Sequence, residues 1–240
     1  MRNFVRENIK GLVLEIGSLD NPFATNGENT VHYMDRYSRD ELKKIHANNL
    51  AVNVNKIPEV NIIGNGDLLS IEDNTYDAVI TCHVLEHLTN PLRAIHEWHR
   101  ITKPGGNVFM VVPDKRFTFD KDRDVTPVQH LIDDYNSNVS ETELAHYQDL
   151  CKHVASHDIS QAQGMFEVQS NIHVHTFTED SLKELLKGFE VIYFKRDGMH
   201  LTVNMVKNKV DCSKCVHNNN CQVEYTKTEK GCVCFEKGGL

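Results

Sequence analysis

The stretch from Tyr76 to Pro113, YDAVITCHVLEHLTNPLRAIHEWHRITKPGGNVFMVVP, constrains this chain most, because it spells one strand, one helix and a second strand of a parallel α/β sheet. Ala78 to Cys82 is a short apolar run suited to a strand buried on both faces. Asn90 offers an N-cap and Pro91 a first-turn proline. Leu92, Ile95, Trp98 and Ile101 recur at three-residue spacing, the stripe by which a helix packs onto a core. Lys103-Pro104-Gly105-Gly106 then ends the helix before the apolar run Val108 to Val112.

The same alternation extends in both directions. Gly11 to Ile16, Val31 to Asp35 and Val60 to Ile63 read as three earlier strands, with helical patterns between most of them, which implies parallel βαβ units with right-handed crossovers. Beyond Pro113 the pattern changes. Asp114 to Gln169 is polar and rich in His and Asp, with helix starts at Thr126-Pro127 and at a capping box Ser140-x-x-Glu143, and it reads as a lid. The sheet resumes where Thr178 caps a helix of Leu182, Leu185 and Leu186 that stops at Gly188. Phe189 to Lys195 and His200 to Val206 follow as a hairpin turned at Asp197-Gly198. The expected organisation is residues 1–113 as a cofactor-binding half-sheet, 114–170 as a lid and acceptor insertion, 171–208 as completion of the sheet, and 209–240 as a Cys-rich tail.

The Tyr76–Pro113 unit resembles the second half of class I S-adenosylmethionine-dependent methyltransferases, especially the small-molecule branch with its VLEHL…P…KPGG segment. That resemblance implies a Rossmann-like, doubly wound seven-stranded α/β sheet ending in an antiparallel hairpin, with S-adenosylmethionine as cofactor. In such open sheets ligands bind at the carboxyl ends of the strands, where the crossover direction switches. Val13-Leu14-Glu15-Ile16-Gly17 resembles the family's first motif, in which Glu15 would position the cofactor's ammonium end and Gly17 would let backbone approach it. The later glycines of that motif are replaced by Leu19 and Asn21, so Ser18 to Pro22 must turn by Asn, Asp and Pro chemistry. Asp35 closes the second strand 20 residues after Glu15, the spacing of a ribose-binding carboxylate, with Arg36 beside it to stack or pair. Gly66-Asp67-Leu68 resembles the segment in which an Asp takes the adenine amino group and the next residue covers the ring. Cys82 and His83, at the end of the fourth strand, would neighbour the donor.

Composition narrows the acceptor. The 240 residues, 40% of them hydrophobic, suffice for a real core, and no apolar run approaches the roughly 20 residues that span a bilayer. Without a signal-peptide pattern the expected location is the cytoplasm. A formal charge of -8 without a clustered basic face argues against general nucleic-acid binding and for a small-molecule or glycan-type acceptor; oligomeric state is not legible. The sulfonium is an activated donor, so catalysis is chiefly placement, with a base where the acceptor is an oxygen. His83, Glu86, His87, Asp114, His173 and His175 are the candidates, with His83 leading, and His83, His87 and Asp114 are the catalytic set.

His83-Val84-Leu85-Glu86-His87 also spells an inverted zinc-protease motif, H-x-x-E-H, but that needs both histidines on a long helix, and Asn90-Pro91 interrupts too soon. Some metal-dependent O-methyltransferases carry Glu-x-x-Glu-His here to hold a divalent ion on the acceptor oxygens. This chain is similar with His83 for the first Glu, and bracing of a helix by Glu86 and His87 is the alternative. Arg116, in Asp114 to Asp120, faces the acceptor position. His173-Val174-His175, with alternating geometry, puts both imidazoles on one face toward a substrate cleft or on backbone near the surface. His146, His153 and His157 read as a helix's polar face. The DKRFTFDKDR and IHVHTFT segments resemble methyltransferases of bacterial surface-polysaccharide clusters.

Five of seven cysteines, Cys212, Cys215, Cys221, Cys232 and Cys234, crowd the last 30 residues. Structural zinc is the first reading, an iron–sulfur group the second, and an unligated tail the third. Cys82 and Cys151 read as ordinary core or interface residues. Two other functions remain compatible with the fold: aminopropyl transfer, and a silent binding module with a metal-binding tail.

Overall fold

The computed structural model describes residues 9–23, 29–67 and 69–208, together with residues 5 and 7. Leu68 and the cysteines Cys212, Cys215, Cys221, Cys232 and Cys234 lie outside the described residues. Seven strands form one sheet: β1 (Leu12–Ile16), β2 (Thr30–Asp35), β3 (Ile62–Ile63), β4 (Tyr76–Cys82), β5 (Thr102–Pro113), β6 (Val191–Asp197) and β7 (His200–Val206). Their order is β3-β2-β1-β4-β5-β7-β6, parallel through β5, with β7 antiparallel to both its neighbours. This is the doubly wound sheet with a terminal hairpin. The winding reverses between β1 and β4, which sets the ligand crevice at their carboxyl ends.

Unbroken apolar runs in the central strands follow from burial on both faces. Leu14, Val79, Val108, Met110 and Val112 enter one core, while Val13, Ala78, Ile80, Phe109 and Val111 enter the opposite one with Val5, Ile9 and Phe23. Successive side chains alternate between the layers, so neither face tolerates a polar residue without a partner.

The helices are α1 (Arg39–Ile45), α2 (Pro91–Ile101), α3 (Val128–Asn136), α4 (Leu144–His153), α5 (Ala162–Glu167) and α6 (Glu179–Leu185). In α2 the expected N-cap is present, Asn90 Oδ1 accepting from Arg93 N, with Pro91 in the first turn. Its Leu92, Ile95, Trp98 and Ile101 are all buried, each contributing about 1.5–3 kcal/mol of transfer free energy. α2 also secures the loop after β3: Trp98 Nε1 donates to Gly66 O at 2.8 Å, and Arg93 donates to the Asp67 carbonyl and carboxylate. α4, α5 and the 172–174 segment share a separate small core of Tyr147, Leu150, Cys151, Val154, Ala162, Ile172 and Val174.

Three local expectations are corrected. β5 starts at Thr102, directly after α2, and Lys103 to Gly106 bulge between the Tyr76↔Thr102 and Ala78↔Asn107 pairs. A Cβ on Gly106 would lie 2.6 Å from Asp77 O, which is why that bulge takes glycine. Ser140 does not cap a helix; α4 begins at Leu144. The 140–143 stretch is held open because Val139 O accepts from Asn90 Nδ2 and Thr142 Oγ1 bonds Thr89 Oγ1. The hairpin turns at Gly198-Met199, with Gly198 at φ 58, one residue later than expected.

Candidate active site

The loops after β1 and β4 meet at the switch point. Gly17 has φ 69, and a Cβ there would lie 2.7 Å from Val84 Cγ2, so both the turn and the close approach require glycine. Glu15 is buried at the end of β1, and its Oε1 accepts from Phe23 N at 2.9 Å. The carboxylate therefore braces the loop of residues 17–23 against the sheet. Asp35 ends β2, and burial raises its carboxyl against the opposing pull of the Arg36 and Tyr37 amides. Arg36 beside it is exposed. Asp67 is buried, with Oδ2 held by Arg93 Nη2 at 2.6 Å. That Arg93 clamp was not read from the sequence.

After Cys82, His83 takes a left-handed backbone at φ 55, unusual for a side chain branched at Cγ and consistent with a functional turn. Its amide bonds Val111 O, and its Nε2 sits 3.0 Å from His200 Nδ1. His200 was not anticipated; its only sequence signal is its position at the start of β7. Burial, with His200 and His173 nearby, lowers the His83 pKa to about 4.

Glu86 is the least ordinary residue of the molecule. It is 1% exposed, and neither carboxylate oxygen has a hydrogen-bond partner beyond a contact with its own backbone amide. Around Oε1 stand His83 Nδ1 at 3.4 Å, His173 Nε2 at 3.9 Å and His87 Nε2 at 4.0 Å. Burial, with the Asp120 charge adding to it, pushes the Glu86 carboxyl up to about 8. Burial and the neighbouring His173 lower His87 to about 4.

Both flanking histidines are oriented from behind. His87 Nδ1 bonds Ile172 O at 2.8 Å, and His173 Nδ1 bonds Asp120 Oδ2 at 2.6 Å, which directs each Nε2 toward Glu86. Asp120 is held by Arg123, and Arg123 Nε by Asp149. This chain of carboxylate, imidazole and cation was missed, although the Asp120-x-x-Arg123 spacing signals an ion pair. One donor atom from each of Glu86, His87 and His173 lies within 4.8 Å of the other two, the geometry of a three-ligand cation site.

The remaining candidates separate from this group. Asp114 is fully buried with both oxygens taken by Arg116, and its pKa is lowered, which makes it a poor base and occupies Arg116 as well. His173 and His175 do not share a face, contrary to expectation: residues 171–175 are not a regular strand, and both Val174 N and His175 N donate to Glu86 O. His175 is fully buried among other rings, with Nε2 on Thr89 O. His146 likewise turns inward rather than lying on a polar face. Cys151 is a buried thiol beside Met165.

A family model described as a methyltransferase domain matches residues 10–193. The chain belongs to the methyltransferase-domain family. Its cofactor is therefore S-adenosylmethionine, and the crevice fits it: a glycine turn that keeps backbone bare, an acid at the end of β2 and a braced loop after β1. A search of curated proteins gave no significant match. Among solved structures, a Pyrococcus horikoshii protein aligns at TM-score 0.50 and 16% identity over 86% of each chain, and it shares the fold. S-adenosylmethionine-dependent methyltransferases from Thermotoga maritima (TM-score 0.49, 14% identity, 86% of this chain and 87% of that one) and Aquifex aeolicus (0.47, 14%, 85% and 88%) also align.

Proposed function

We propose that this methyltransferase acts on an oxygen of a small-molecule or glycan-type acceptor, with a divalent cation held by Glu86, His87 and His173. The observation that carries the reading is the buried Glu86 carboxyl, which has no hydrogen-bond partner from another residue and is ringed by three imidazole nitrogens at 3.4–4.0 Å. An unpaired carboxylate in that setting costs several kcal/mol, and a cation is the partner the surrounding imidazoles can share with it. S-adenosylmethionine supplies the methyl group, and a cation at this site supplies a Lewis acid for the acceptor oxygen.

The residues have separable tasks. Ile172 O and Asp120 hold Nδ1 of His87 and His173, which leaves each Nε2 to face the cation. His83, held neutral by burial and pinned to His200, is placed to relay the acceptor's proton outward rather than to hold it. Glu15 shapes the loop over the cofactor, Asp35 takes the ribose hydroxyls, and Gly17 and Cys82 border the donor. Exposed Phe117 and Phe119, the latter with its ring 4.6 Å from that of His173, offer apolar faces to a sugar or ring acceptor. The 114–170 segment closes over this side as a lid.

The test uses chelator-stripped full-length protein and manganese, followed by electron paramagnetic resonance. Wild type is expected to bind one manganese at this site, and Glu86→Gln to weaken it at least about tenfold. Equal manganese binding in both proteins would contradict the cation and leave the His83–His200 pair as a metal-independent proton relay.

A further inference from the structure

A second histidine cluster lies outside the centre just described. His130 from α3, His146 from α4 and His175 from the segment before α6 face one another, with ring centroids 5.1–5.7 Å apart. One nitrogen from each lies within 4.8 Å of the other two. His175 is completely buried; its Nε2 is committed to Thr89 O, and its Nδ1 has no hydrogen-bond partner. His130 Nε2 also lacks one, lying 3.3 Å from Asp134 Oδ2 outside hydrogen-bond geometry. His146 is engaged from behind by the Val174 backbone.

With its Nε2 committed to Thr89 O, His175 turns toward His130 and His146 an Nδ1 lone pair that no hydrogen-bond donor meets. A Lewis acid would meet it, and neutral imidazoles with their far nitrogens tied to carbonyls are the usual dress of a zinc ligand.

We propose that His130, His146 and His175 bind a zinc-type transition-metal ion through one ring nitrogen each, the fourth position being left to water, and that this ion staples α3 and α4 to the segment before α6 that carries His173. The site differs in chemistry from the one at Glu86. Three imidazole nitrogens favour zinc or cobalt, whereas a site that includes a carboxylate near an acceptor suits harder ions. Its structural consequence is specific. The ion would tie the 114–170 segment to residues whose backbone amides, Val174 and His175, hold Glu86 O, so the insertion and the active centre would be fixed together.

Cobalt(II) titration of the full-length chain tests this, in a background where Cys212, Cys215, Cys221, Cys232 and Cys234 are changed to Ser so that thiolates contribute nothing. The expected result is one equivalent with the intense visible bands of tetrahedral nitrogen and oxygen ligation, lost in His146→Asn and in His130→Asn, and kept in Glu86→Gln. Zinc is expected to raise the unfolding temperature of the parent and not of His146→Asn, which is partly exposed and tolerates the change. Loss of the bands in Glu86→Gln but not in His146→Asn would overturn the proposal and assign the ion to the other centre. Absence of tetrahedral bands in a parent that is folded by circular dichroism would also overturn it. Manganese binding at Glu86 is read separately, so failure of either site leaves the other standing.

Discussion

Single residues in this protein are most informative where ordinary rules are broken. Glu86 is an acid with no hydrogen-bond partner from another residue, His83 a histidine in glycine's backbone region, and Gly17 a position where even a methyl group collides. These violations cluster at the carboxyl ends of β1 and β4, as expected where stability is traded for function. Asp35, which keeps ordinary geometry, carries a simpler expectation. Removing a carboxylate that accepts from ribose hydroxyls costs about 1.5–3 kcal/mol, so Asp35→Ala should weaken S-adenosylhomocysteine binding about ten- to a hundredfold by equilibrium dialysis. Unchanged affinity would remove Asp35 from the cofactor site. Asp35 was readable from its spacing after Glu15, and Glu15 and Asp67 from the resemblance of their segments to family motifs. The partners of the histidines, Asp120, Arg123 and His200, were not, because they reach those histidines across 53, 50 and 117 residues of chain, and the local Asp120–Arg123 spacing does not say which ring the pair will meet.

At the scale of elements, local chemistry and tertiary contacts compete. The caps at Asn90 and Thr178 appear where the sequence places them because each side-chain oxygen still accepts from a first-turn amide, in Asn90 while its Nδ2 bonds Asp134 O and Val139 O. The box at Ser140 fails because Asn90 holds the preceding Val139 carbonyl and Thr89 holds the Thr142 hydroxyl in tertiary hydrogen bonds. α6 therefore offers a clean measure. Thr178 Oγ1 accepts from Ser181 N, and Ser181 Oγ from Thr178 N. Thr178→Ala should destabilise the protein by about 1 kcal/mol in urea unfolding, with an unchanged m-value. A cost near zero would show that the helix start is held by packing of Leu182 and Leu185 instead.

For the whole molecule, the strand-helix-strand pattern determined the sheet, since continuous apolar strands have few ways to be buried on both faces. The order of the insertion's helices was legible only as polarity and length. Its own small core, built from Tyr147 to Val174, draws residues that look amphipathic in isolation. Histidine burial gives a global pH signature. His99 on α2 is lowered from 6.5 to about 4 by burial, then by the Lys207 charge and His96, and His96 is lowered too. With folded pKa values below the unfolded one, this contribution to stability is full above pH 6.5 and is lost as pH falls toward 4. Unfolding free energy should therefore drop across that window, and less steeply in His99→Gln. A wild-type profile flat between those limits would contradict the burial of these rings as neutral groups.

The most direct measurement is a crystal structure of the protein with S-adenosylhomocysteine. The account expects the ligand across the carboxyl ends of β1, β2 and β4, its ribose on Asp35 and its backbone approach at Gly17, with the sulfur turned toward His83 and Glu86. A ligand bound on another face of the sheet, or a crevice closed by side chains in crystals that hold no ligand at saturating concentration, would contradict it.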